Sequence, residues 1–197
     1  MDQPPMDQAV AVDPNLVCPV TGSPLHREGN DLVSADGAHR YPCEPGIFRL
    51  FVSEAAATGV DAATSKVQEF YEEAPFPNYN DVDDVAALVK RADTSVFGRL
   101  LREQIPVNAS VLEVGCGTGQ LSNYLAATCV AKIYAADMTL ASLRLGRKFA
   151  AEQNIRGVRF LQMNLFKPCI RPGSMDLVIS NGVLHHTADS KAAFMSI

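Results

Sequence analysis

The rhythm of hydrophobic and polar positions changes twice along this chain. Residues 1–15 are rich in Pro, Asp and Gln, show no apolar period and read as a flexible tail. From Leu16 to about Val52, short apolar pieces are punctuated by Thr21-Gly22-Ser23-Pro24, Glu28-Gly29-Asn30, Asp36-Gly37 and Pro45-Gly46. That texture predicts two to four short strands, with a tight turn at Asp36-Gly37. A piece of this size builds only a marginal core, so residues 16–52 are expected to pack on a neighbour.

Residues 53–109 read as a helical connector. Ser53–Ser65 is Ala-rich, and a short helix over Lys66–Glu73 is stopped by Pro75 and Pro77. Val82, Val85, Ala86 and Val89 fall at helical spacing behind the acidic start Asp81–Asp84. Val96, Phe97, Leu100, Leu101 and Ile105 repeat the spacing between Thr94-Ser95 and Pro106. At Ser110 the texture changes again. Short apolar runs at Val111–Val114, Ile133–Ala136, Val158–Leu161 and Met175–Ser180 alternate with helical stretches at Gln120–Ala127 and Leu140–Gln153. Strands that alternate with helices predict an α/β, doubly wound, mostly parallel sheet over residues 110–197.

Composition narrows the classes. Hydrophobic residues make up 47% of the chain, enough for a buried core. The formal charge of −5 argues against nucleic-acid and anionic-membrane partners, and the densest basic stretch, Arg144-Arg147-Lys148, reads as a solvated helix face. Cys18, Cys43, Cys116, Cys129 and Cys169 are scattered, with no Cys-x-x-Cys pair. The first residues are unlike a secretory or mitochondrial leader, and no apolar run approaches bilayer length, so a soluble, cytoplasmic setting is expected.

The informative stretch is Val111-Leu112-Glu113-Val114-Gly115-Cys116-Gly117-Thr118-Gly119. Glycines permit a tight turn and leave no Cβ between backbone and ligand, and a following helix offers free N–H groups. A dinucleotide fingerprint would put its third glycine at position 120, which is Gln120, and no Walker-type phosphate loop occurs. Asp137 closes the second strand. A carboxylate there is placed to accept from both hydroxyls of a ribose, or to cap the next helix.

With these residues in view, the chain from Ser110 to about Ala193 resembles the class I S-adenosylmethionine-dependent methyltransferases. The resemblance implies that Glu113, Gly115, Cys116, Gly117 and Gly119 wrap the methionine part of S-adenosyl-L-methionine. It implies that Asp137 binds ribose and that Met138 lies against adenine. Asn164 stands near the adenine amino group where the family often has Asp. The run Met175-Asp176-Leu177-Val178-Ile179-Ser180-Asn181 is similar to the family's fourth strand, with Asn181 facing the cofactor crevice. The implied reaction moves a methyl group to an O, N or C nucleophile, on a small-molecule acceptor. His185 and His186 are candidate bases, although methyl transfer from a sulfonium can proceed by positioning alone, in which case the pair shapes the loop. Tyr71, in Phe70–Tyr79, is a candidate cation–π partner of the sulfonium; alternatively these aromatics staple a helix to the sheet. Rival readings on the same fold are aminopropyl transfer, a nicotinamide enzyme, or a non-catalytic cofactor-binding or partner-supporting subunit.

Residues 16–52 resemble a zinc-ribbon-like module of the kind that accompanies some methyltransferases, which makes a protein partner possible through it. Of four expected cysteines only Cys18 fits, with Thr21, Ser34 and Gly37 at the other places and Cys43 out of register. One thiolate cannot close a tetrahedral site, so no metal is expected. The family's sheet usually has seven strands and four are recognisable here. The chain is therefore expected to be C-terminally incomplete, poorly soluble or self-associated, and inactive or nearly so by itself.

Overall fold

The computed structural model describes residues 12–53 and 75–197. Most of the expected tail, the Ala-rich stretch after Ser53, the helix over Lys66–Glu73 and the candidate Tyr71 lie outside the described residues.

Three short strands, β1 (Leu25–Glu28), β2 (Asp31–Ser34) and β3 (Arg40–Pro42), form an antiparallel meander. The turn between β2 and β3 is closed by Gly37, whose N–H reaches the Ser34 carbonyl at 2.8 Å with φ of +72°. A fourth strand, β4 (Ile47–Arg49), leaves the meander and pairs in parallel with β7 (Val158–Gln162). With β5 (Ser110–Val114), β6 (Lys132–Asp137) and β8 (Leu177–Ile179) it makes a parallel sheet of order β4-β7-β6-β5-β8. The module boundary read at residue 52 therefore does not coincide with the boundary between the sheets.

Alternation along the parallel strands sends successive side chains to opposite faces, and each face has its own cover. Leu112, Val114, Tyr134, Ala136, Leu161 and Met163 pack with Leu16, Cys18, Leu25, Leu32, Tyr41 and Leu50. One face of the sheet is thus closed by the N-terminal meander. On the other face Val111 and Ile133 meet Tyr124, Leu125 and Phe149, while Ala135 and Phe160 meet Leu140, Leu143 and Ala150. These partners belong to α3 (Gln120–Thr128) and α4 (Leu140–Glu152), the helices that cross over between β5, β6 and β7.

The connector helices α1 (Val85–Asp93) and α2 (Val96–Gln104) precede β5. Helical spacing predicted a start at Val82, but α1 begins later. The Asp84 carboxylate accepts from the Ala87 N–H at 2.7 Å and caps the helix there, leaving Val82 buried in the preceding loop. In α2 the apolar positions split: Leu101 and Ile105 pack toward the core, whereas Val96, Phe97 and Leu100 are exposed. The basic stretch of α4 is a surface as expected. Arg144 clasps Glu44 at 2.7 and 2.9 Å, and Lys148 lies 3.8 Å from Glu152. A final helix, α5 (Ser190–Ser196), follows a single 3-10 turn at Leu184–His186. No helix among the described residues is long and apolar enough to cross a membrane.

Candidate functional site

The carboxyl ends of β5, β6, β7 and β8 open into a cavity of about 710 Å³, at the crevice where open parallel sheets bind ligands. Its floor is the turn Gly115-Cys116-Gly117, which joins β5 to α3. Of the site residues expected from the sequence, Glu113, Gly115, Cys116, Gly117, Asp137, Met138, Asn164, Asn181, His185 and His186 line this cavity. Gly119 does not; it stands in the left-handed region as the N-cap of α3.

The glycines act differently from the simple expectation of bare backbone facing ligand. A Cβ at Gly117 would lie 2.3 Å from the Phe76 carbonyl oxygen, and one at Gly115 would lie 2.2 Å from a methyl of Val183. The chain's own segments occupy these places, so the glycines let two loops close over the turn. A further glycine, Gly146 of α4, brings that helix against the same turn: a Cβ there would sit 2.3 Å from the Thr118 carbonyl oxygen. Nothing in the local pattern of α4 marks Gly146, because the contact is made across the fold.

Residues Pro77–Tyr79 strap the turn from outside. The Thr118 hydroxyl donates to the Pro77 carbonyl, and Gln120 Nε2 donates to the Asn78 carbonyl at 2.6 Å. The Tyr79 hydroxyl donates to the Thr118 carbonyl at 3.0 Å and accepts from Asn123 Nδ2 at 2.9 Å. Its ring stacks on Phe149 with centroids 4.4 Å apart. For Tyr79 the geometry is that of a staple between connector, turn and α4.

Asp137 ends β6 beside the turn. Its Oδ2 accepts from the Gly117 N–H and its Oδ1 from the Thr139 N–H, both at 2.8 Å. The N-cap of α4 is Thr139, not Asp137, so the carboxylate braces both the Gly turn and the helix entry. Each oxygen keeps acceptor capacity for a ligand hydroxyl. Burial raises the Asp137 pKa, and the Thr139 and Gly117 N–H groups pull against that rise. Glu113 is buried within β5 and accepts a hydrogen bond from the Ser122 hydroxyl. Burial pushes its pKa up to about 7. The Cys116 thiol is driven well above its ordinary value, also by burial, and stays protonated.

Asn164 is engaged on both sides: its Nδ2 donates to the Val52 carbonyl at 3.0 Å and its Oδ1 accepts from the Phe166 N–H at 3.0 Å. It ties the end of the N-terminal module to the loop after β7 and retains one acceptor position. His185 and His186 are exposed on the 3-10 turn with ring centroids 4.0 Å apart. Among the described residues no three His, Cys, Asp or Glu side chains converge as a metal site. In the module, Cys18 Sγ lies instead 3.0 Å from the Tyr41 hydroxyl. Leu88, Arg91 and Ala92 of α1, with Phe97 and Gly98 of α2, complete the cavity wall. Sequence reasoning assigned these positions to helices but not to the site.

Residues 112–197 match the model of a methyltransferase domain family. An uncharacterized protein of Synechococcus sp. is 32% identical over 81 residues, which is 40% of this chain and 19% of that protein. The chain thus corresponds to about a fifth of that relative's length. Among solved structures, magnesium protoporphyrin IX methyltransferase of Synechocystis, crystallised with S-adenosylmethionine, is 23% identical. It superposes with a TM-score of 0.53 over 73% of this chain and 72% of its own. The [4+2]-cyclase SpnF gives a TM-score of 0.52 at 15% identity, covering 66% of this chain and 53% of its own. At these identities the likeness establishes the Rossmann-like methyltransferase fold, and a cyclase on it shows that the fold alone does not set the chemistry.

Proposed function

We propose that this chain is an S-adenosylmethionine-dependent methyltransferase acting on an O, N or C nucleophile of a small molecule. The observation that carries the reading is Asp137, a buried carboxylate at a strand's carboxyl end. It is fixed by two backbone N–H groups and borders the cavity beside Gly115-Cys116-Gly117. The donor set fits the group. Asp137 offers acceptors to a ribose diol, Met138 an apolar surface to a purine, and buried Glu113 a carboxylate to a cationic amino-acid end. The match of residues 112–197 to the methyltransferase domain model supports the same assignment.

When bound, S-adenosylmethionine supplies a methyl group already activated for in-line displacement. The protein's share is then positioning and exclusion of water. Asp137 and the strapped turn fix the nucleoside side. Leu88, Ala92, Phe97 and Val183 wall off the remainder with apolar surface. His185 and His186 border that space, which supports keeping them as the candidate bases for an acceptor hydroxyl or ammonium. Tyr71, at a position outside the described residues, stays with this reading as a partner for the sulfonium.

The test is differential binding. Thermal shift of the 197-residue protein should rise with S-adenosylhomocysteine and stay flat with NAD and ATP. A shift with NAD alone would transfer the site to nicotinamide chemistry.

A further inference from the structure

The cavity's lining is apolar on its connector side and carries three charged residues: Glu113, Asp137 and Arg91. The two carboxylates are already engaged, Glu113 by the Ser122 hydroxyl and Asp137 by the Gly117 and Thr139 N–H groups. Arg91 stands in the last turn of α1, exposed at the cavity edge. The ion pairs of the described residues leave it out. Asp93, the acid nearest in sequence, is taken by Arg102 at 2.9 Å and by the Tyr124 hydroxyl at 2.7 Å. The carbonyl of Arg91 is used by the cap at Thr94, which fixes its backbone without engaging the guanidinium.

A guanidinium beside apolar wall, with no carboxylate partner among the described residues, is matched by a planar anion that it can grip through two parallel N–H bonds. Leu88 and Ala92, from the same helix, set apolar surface on the cavity side of that guanidinium. Deepening the methyltransferase reading on which it rests, we propose that Arg91 is the anion-recognition residue of this cavity and takes a ligand carboxylate. Two sources share that chemistry: the amino-acid carboxylate of the methyl donor, or an acid group on an otherwise apolar acceptor.

Arg91→Gln and Arg91→Lys in the full chain separate the sources by calorimetry. The probes are S-adenosylhomocysteine, 5′-methylthioadenosine, which lacks the amino-acid end, and the pair 2-naphthoate and 2-naphthalenemethanol. If the donor's carboxylate is held, Arg91→Gln weakens S-adenosylhomocysteine by about fivefold or more and leaves 5′-methylthioadenosine unchanged. If the acceptor's is held, both nucleosides bind the variant normally. The native preference for 2-naphthoate over its neutral analogue, again about fivefold, then disappears in Gln and partly returns in Lys. A variant that matches the native protein with all four probes overturns the proposal. A native protein that ignores both nucleosides but prefers 2-naphthoate through Arg91 would sink the methyltransferase reading and leave the anion site standing.

Discussion

A carboxyl group kept out of water holds its proton longer, and Glu113 is such a group. Its pKa of about 7 stands against an ordinary 4.5, with burial as the first cause. The folded protein therefore keeps a proton that the unfolded chain has released. Glu113's contribution to stability is fully present near pH 4.5 and falls as pH rises to about 7, by about 3 kcal/mol. Glu113→Gln should remove that part of the slope, leaving Asp137's own, and thermal melts from pH 4.5 to 8 would show it. An unchanged slope in the variant would mean that water reaches the carboxylate. The same raised pKa predicts that binding a cationic amino-acid end at Glu113 releases a proton, so affinity for S-adenosylhomocysteine should increase as pH climbs through about 7. Equal affinity at pH 6 and pH 8 would remove Glu113 from contact with that end. Glu113 and Asp137 were legible in the sequence because a polar residue inside or ending an apolar strand stands out against its neighbours. Arg91 was not: a basic residue in a helix's last turn is ordinary, and only the fold shows what it faces.

Strands and helices after Ser110 were readable because each carries enough apolar residues to show its period. β5, β6 and β7 lie within a residue or two of their expected bounds. β8 is shorter than Met175–Ser180; the Asp176 carboxylate is spent on the Ser110 N–H at 2.8 Å, pinning the strand entry to β5. The placement of β4 was invisible. Three residues, Ile-Phe-Arg, carry no usable period, and their partner β7 lies over a hundred positions downstream. The strap of Pro77–Tyr79 and the seat of Gly146 are likewise contacts between elements. Gly146→Ala should cost about 1–3 kcal/mol, because its methyl meets the Thr118 carbonyl with no room to move. Since Thr118 belongs to the Gly turn, affinity for S-adenosylhomocysteine should fall with it. Chemical denaturation and calorimetry on the variant check both, and a stable variant with native affinity would show that α4 can shift without disturbing the turn.

At the scale of the molecule, the N-terminal meander is the cover of one sheet face. Leu16, Leu25, Leu32, Tyr41 and Leu50 share a single core with Leu112, Tyr134 and Leu161. An apolar sheet face without that cover would stand open to water. Leu32 is fully buried in this shared core, so Leu32→Ala should cost about 2–5 kcal/mol. Because the core is shared, the meander and the parallel sheet should still unfold together. Coincident denaturation curves from far-ultraviolet dichroism and tyrosine fluorescence would show this; two separated transitions would mean that the module folds independently. The small size of residues 16–52 predicts packing on a neighbour, but which face the module covers is set by strand alternation in β5 to β7, more than fifty residues downstream. The proposed nucleoside site at the carboxyl end of β6 is tested by isothermal calorimetry of S-adenosylhomocysteine on native protein and on Asp137→Ala. One site is expected on the native chain, with an affinity lower by about 1.5–3 kcal/mol in an Asp137→Ala variant whose dichroism is unchanged. No binding by the native protein, or native affinity in a folded Asp137→Ala, would contradict it.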